Sequence, residues 1–273
     1  MPGCLIGLTT NPVVRQGVHI YFLTKAPLSV ALNFLLTLCI VLFVIWPKSQ
    51  YLRIGSPPLT FGVLAITATL ITTYLSFSYG SGSLVEGPEP DFRTWLVAQH
   101  SHVRGAFGGL TFVTTAHTVF LLALPLPLLL AASHVSGITW HAFAETCALM
   151  VVCALAYRWL GLLALCLWVP QEFLRYVVAR GAFVLFVLGS AFFLPPLNPL
   201  RGLISISFGD ELGQVVPLFG RQASYADVSL IIHLLLLLAS YIMVRVLIKR
   251  WVRDTPVSDH ARGESLGERG ARG

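Results

Sequence analysis

The chain has 273 residues, of which 56% are apolar and only 11% charged, against about 25% charged in an average soluble domain. That composition excludes a water-solvated globular protein, and apolar runs recur at roughly the 20 residues a helix needs to cross a bilayer core about 30 Å thick. The formal charge of +6 does not indicate nucleic-acid binding, because the basic residues sit at the ends of apolar runs and in the C-terminal tail, where they record membrane orientation.

In chain order, residues 1–27 form a cytoplasmic N-terminal segment, and apolar runs predict spans at Leu28–Trp46, Leu59–Tyr79, Ala106–Ala132, Ala142–Val169, Val177–Leu194 and Val228–Ile248. The first run ends in Trp46-Pro47-Lys48 without a small-x-small cleavage pattern, so it reads as a span and not a signal peptide. Continuous apolar runs without in/out alternation exclude a β-barrel. The fold class is therefore all-α, a polytopic membrane protein of about six helices. Pro125 and Pro127 remove backbone donors inside the third run and predict a kink there.

Orientation follows from the loop charges. With both termini inside, the inner segments carry Arg15, Lys25, Arg93, Arg104, Arg175, Arg180, Lys249, Arg250 and Arg253, whereas the outer loops carry Lys48, Arg53, Arg201 and Arg221. The excess favours N-in and C-in, with Trp251 as an interfacial anchor. Residues 28–253 then form one six-span domain, and 254–273, rich in Gly, Arg, Glu and Ser, read as a disordered cytoplasmic tail.

Two connections are longer than a turn. In Gly80–Gly105, Asp91 is a candidate N-cap, and Phe92, Trp95, Leu96 and Val103 recur near helical spacing, which predicts a short amphipathic helix along the membrane surface. In Pro195–Asp227, the stretch Leu200–Gln214 is too apolar for a solvated loop and predicts a re-entrant or interfacial helix.

Chemistry-bearing motifs are sparse. A phosphate-cradling loop requires a lysine after a glycine, and none of Lys25, Lys48 and Lys249 follows one. The chain thus carries no nucleotide motif, no catalytic elbow and no metal-ligand spacing among His100, His102, His117, His134, His141 and His233. Cys4, Cys39, Cys147, Cys153 and Cys166 are an odd set, four of them in apolar runs, and read as free thiols. Two ionisable residues fall within the fourth span, Glu145 and Arg158. They stand 13 positions apart, about 20 Å along a helix, so Arg158 needs a partner from another helix, another copy of the chain, or a break in its own span.

Several segments resemble the type-2 ABC exporter permease family. Asn11-Pro12-Val13-Val14 resembles the opening that precedes a membrane-surface elbow helix in these subunits. Arg93-Thr94-Trp95-Leu96 stands in the cytoplasmic segment where the family carries its ATPase-contacting helix. The run Leu121–Pro127, the turn Ala132–Trp140 and the span ending in Gly161-Leu162-Leu163 are similar to its third and fourth spans. Arg104-Gly105 stands where members often have Gly-Lys.

The resemblance implies a permease in the bacterial inner membrane, either a homodimer or a heterodimer with a related chain, that couples to a cytoplasmic ABC ATPase. Cofactors would be absent from this chain, with ATP and Mg on the partner. Phe92, Arg93, Trp95, Leu96, Gln99 and His100 would form the coupling helix, and membrane lipids, not nucleic acid, would surround the spans. The alternative is a secondary transporter or channel, which would show repeated halves with paired broken helices; no such repeat is present in the sequence.

Overall fold

The computed structural model describes residues 11–46, 59–82, 92–99, 103–167, 172–208, 215–218 and 221–254. Helix α1 (Pro12–Val18) passes through a π-helical turn, His19–Leu23, into α2 (Lys25–Ile45). Next come α3 (Leu59–Ser81), the short α4 (Phe92–Gln99), α5 (Val103–Ala123), α6 (Leu126–Ser136) and α7 (Trp140–Leu167). Helix α8 (Glu172–Phe193), a 3-10 turn at Pro195–Leu197, α9 (Pro199–Phe208), the strands β1 (Val215–Leu218) and β2 (Arg221–Ser224), and α10 (Tyr225–Asp254) complete the described chain.

Five segments are long and apolar enough to cross a membrane: Lys25–Ile45, Leu59–Ser81, Gly105–Ser136, Trp140–Leu167 and Tyr225–Asp254. The sixth expected span corresponds to α8, whose apolar stretch Val177–Phe193 is shorter. Burial separates central from peripheral helices. Inside the most apolar window, 72% of α7 and 61% of α3 is buried, against 17% of α2 and 22% of α10. On α2, Leu28, Leu32, Leu36 and Ile40 recur every four residues and are all exposed, as expected of a stripe facing acyl chains.

The central pair meets at two glycines. A Cβ on Gly161 would collide with the carbonyl oxygen of Phe77 and stand 3.0 Å from the Gly80 Cα, while one on Gly80 would collide with the carbonyl oxygen of Arg158. Only residues without side chains allow this backbone approach, the usual device for tight helix packing in lipid.

Local signals set the ends of the helices. The expected kink is a break, with α5 ending at Ala123 and α6 starting after Pro125. At the other end of α6, Gly137 adopts a left-handed φ of 64°. There the Gly137 N–H donates to the His134 carbonyl and the Ile138 N–H to the Ser133 carbonyl, a Schellman closure. Thr139 Oγ1 accepts from the Ala142 N–H at the start of α7. Ser224 and Asp227 form a reciprocal cap on α10, the Ser224 hydroxyl accepting from the Asp227 N–H and donating to its carboxylate.

The bundle has two ends. At the apical end, Thr60 Oγ1 donates to the Ile45 carbonyl and the Phe61 N–H donates to Ser136 Oγ. At the basal end a single apolar cluster gathers Val13 and Val14 of α1, Phe92 and Leu96 of α4, Leu110 of α5, Leu162 of α7, and Ile248 and Trp251 of α10. The first described helix and the end of the last therefore lie on the same side.

Three features add detail to the expectations. Helix α1 runs alongside α5: Asn11 sits against Gly109, Gly17 against Val113 and Tyr21 against His117. Its valines pack into the basal core. The apolar stretch expected in Leu200–Gln214 is helix α9, buried against α3, α7 and α10 with Leu203 fully enclosed; residues 209–214 of the expected segment lie outside the described residues. The antiparallel hairpin of β1 and β2, pairing Val215 with Ser224 and Leu218 with Arg221, was not anticipated from the sequence.

Asn11 joins two of these elements. Its Oδ1 accepts from the Val13 N–H at 3.0 Å, capping α1, while its Nδ2 donates to the Gly105 carbonyl at 2.8 Å. Asn11→Asp keeps the cap but sets a carboxylate oxygen against that carbonyl. It is expected to cost about 1–2 kcal/mol, read as a lower Tm, whereas Asn11→Ala loses both bonds; an Asn11→Asp protein as stable as the parent would refute the bridge.

Candidate functional site

Arg158 lies on the central helix α7 and is completely buried, as are its neighbours Tyr157 and, nearly so, Trp159. The helix is continuous through it, so no break supplies carbonyls. None of its three guanidinium nitrogens has a hydrogen-bond partner among the described residues. Its surroundings are aromatic. The guanidinium carbon stands 4.6 Å from the ring centroid of Tyr21 and 5.9 Å from that of Tyr79. His117 stacks on Tyr21 at 4.7 Å and meets Tyr79 edge-on at 4.6 Å. The Tyr21 hydroxyl donates to the Tyr79 carbonyl at 3.2 Å, fixing the ring.

Four elements converge here: the π-helical turn brings Tyr21, α3 brings Tyr79, α5 brings His117 and α7 brings Arg158. The Gly80–Gly161 crossing one turn away draws α3 and α7 close enough for Tyr79 to reach the guanidinium. Cation–π contacts contribute about 0.5–2 kcal/mol each in a desolvated setting, comparable to the few kcal/mol that an arginine costs inside a membrane helix. Glu145 takes no part; it is half exposed near the apical end, 3.4 Å from His141.

No acidic side chain that the structure describes reaches Arg158. Those side chains are Glu145, Asp227 and Asp254, while Glu172 opens α8 with its side chain outside the described residues. Asp227 is bonded to Ser224 and Asp254 to Arg253, at the two ends of α10. Buried hydroxyls without partners among the described residues also occur on α3, at Thr69, Thr72 and Ser76, and on α7, at Thr146 and Tyr157. Among the described residues no three His, Cys, Asp or Glu side chains are grouped to hold a metal. Cys39, Cys147, Cys153 and Cys166 are free thiols.

The second candidate surface is α4. Phe92 and Leu96 point into the basal core, Trp95 is half-buried, and Arg93 and Thr94 face outward. Phe92 meets the Trp251 ring edge-on at 6.4 Å, and the Arg93 guanidinium carbon lies 5.8 Å from it. Gln99 ends the helix, with its side chain outside the described residues, as is His100. A solvent-side contact on α4 thus rests on Arg93 and Thr94, since Leu96 is fully buried.

Sequence reasoning singled out Arg158 but missed Tyr21, Tyr79 and His117, because no spacing links residues on four separate elements. It also passed over Arg245, which lies 6.0 Å from the Phe107 ring on the basal part of α10. That helix has 30 residues and is about 45 Å long, so its basal part extends past a bilayer core.

These features define a polytopic α-helical membrane protein with a buried, aromatic-enclosed cation. Family models, characterised proteins and solved structures were all compared with the chain, and none matches it.

Proposed function

We propose that the protein is the membrane-spanning permease of an ATP-driven ABC exporter, working as one of two such chains with a cytoplasmic ATPase that holds ATP and Mg. The observation that carries this reading is α4. It is a short helix whose apolar face is buried against α1 and α10 and whose outer face offers Arg93 and Thr94. A force applied to that face would pass through Phe92 to Trp251 and α10, and through the valines of α1 to α5.

In this reading the basal end is cytoplasmic. Arg15, Lys25, Arg93, Arg245, Lys249 and Arg250 belong to basal elements, and a basic inner face favours that orientation. The sixth crossing is made by α8 together with the re-entrant α9. Asn198 supports the hairpin between them: its Nδ2 donates to the Val187 carbonyl and Ser190 Oγ, and its Oδ1 accepts from the Leu200 N–H. The setting would be a bacterial inner membrane.

The test is purification with native partners followed by ATPase assay. An ATPase subunit should accompany the chain, and its hydrolysis should depend on it. Arg93→Glu combined with Thr94→Glu should reduce that stimulation about tenfold while Tm stays within about 3 °C, because both side chains are exposed. Transport that proceeds without any ATPase, or full stimulation by the double variant, would refute the proposal.

A further inference from the structure

Helix α10 keeps one face turned away from the bundle. Ile231, Leu235, Leu238 and Ile242 recur at steps of three and four residues and are all exposed, whereas His233, Ser240, Val244 and Ile248 on the opposite face are buried. The same steps continue to Arg245, Lys249 and Arg253, which are exposed as well. The face that meets acyl chains therefore turns basic without turning inward. About 20 residues cross a bilayer core about 30 Å thick, so a core entered at Tyr225 ends near Val244, and Arg245 follows at once. Lys249 stands one turn beyond, about 6 Å along the helix, which matches the depth of one headgroup layer.

We propose that the basal end of α10 is a binding surface for anionic phospholipid, with Arg245 and Lys249 on the phosphate-bearing heads of the basal leaflet and Leu238 and Ile242 along the acyl chains. Two observations select lipid over a soluble acidic partner. The first is continuity, since one exposed helix face carries the apolar and the basic residues in the order of a lipid's tail and head. The second is depth. Arg245 stands one turn from Ile242 at the edge of the core, where lipid phosphates lie, and a partner arriving from water meets Arg253 first.

The contacts that the structure shows leave the positive charge in place. The Arg245 guanidinium carbon stands 6.0 Å from the Phe107 ring, a contact that orients the side chain without neutralising it. Arg253 is set against Asp254, 3.4 Å away, so Arg245 and Lys249 carry the preference. The C-terminal tail has no net charge to cover them, because Asp259, Glu264 and Glu268 are matched by Arg262, Arg269 and Arg272. The inference needs only the membrane setting and is independent of any ATPase.

The test is crosslinking of the full chain in proteoliposomes of equal phosphatidylglycerol and phosphatidylcholine, each lipid in turn carrying a photoreactive head. Each basic residue at an anionic surface favours binding about fivefold, so phosphatidylglycerol should crosslink to residues 245–253 about 25-fold more than phosphatidylcholine. Arg245→Gln or Lys249→Gln should each lower that ratio about fivefold, and the double variant should remove the preference. The charge-keeping exchange of Arg245→Lys with Lys249→Arg should leave it unchanged. Both side chains are exposed, and an unchanged Tm verifies that the variants fold. Equal crosslinking of the two lipids in the parent, a preference that survives in the double variant, or its loss on adding inorganic phosphate would overturn the proposal. Displacement of phosphatidylglycerol from these residues by polyglutamate would assign the face to an acidic protein and overturn it as well.

Discussion

Gly161→Ala is expected to lower stability by about 3 kcal/mol, the upper part of the range for overpacked sites, and so to lower Tm by about 6–12 °C. The obstacle is backbone and not a pliable side chain. The new Cβ would collide with the Phe77 carbonyl oxygen and stand 2.9 Å from the Ser81 nitrogen, so α3 and α7 have to separate. Gly80→Ala opposes the same contact from the other helix. The double variant should cost less than the sum, because helices already moved apart accommodate the second methyl. Gly189→Ala is the control, since nothing lies within 4 Å of a Cβ there. Thermal unfolding in detergent decides: Gly161→Ala as stable as Gly189→Ala would refute the close crossing.

Arg158→Met is expected to raise stability. It removes a guanidinium that is fully buried without a hydrogen-bond partner among the described residues, and it leaves a flexible apolar chain against Tyr21 and Tyr79. Replacing costly buried charge by apolar groups of similar volume is often neutral or stabilising by a few kcal/mol. The lost cation–π contacts offset part of that gain. A net gain of about 1–2 kcal/mol follows, or about 2–8 °C in Tm.

Arg158→Lys should be less stable than the parent, since it keeps a buried charge that does not stack on the rings as a planar guanidinium does. A Tm lowered by Arg158→Met would mean that the aromatic nest outweighs desolvation.

The parts legible in the sequence are those set by local chemistry. Five apolar runs became helices long enough to span, since run length alone meets the bilayer requirement. Pro125 produced its break, and Phe92, Trp95 and Leu96 folded into a short helix with Phe92 and Leu96 inward, because helical period is visible in eight residues. The β1–β2 hairpin was hidden in a loop whose few apolar residues suit a helix end equally well. The aromatic nest was hidden for a different reason: each of Tyr21, Tyr79, His117 and Arg158 stands 38 to 58 positions from the next, and nothing local distinguishes a lipid-facing tyrosine from one that closes over a cation.

What the sequence by itself determined is the solvent, the helical class and an unmet requirement, the need of Arg158 for company that Glu145 cannot supply. Only the tertiary structure decided how that requirement is answered. Composition sets how much of a helix is apolar but not which face meets which neighbour. That choice depends on two glycines, 81 positions apart, letting α3 and α7 touch backbone to backbone and so bringing Tyr79 beside the guanidinium.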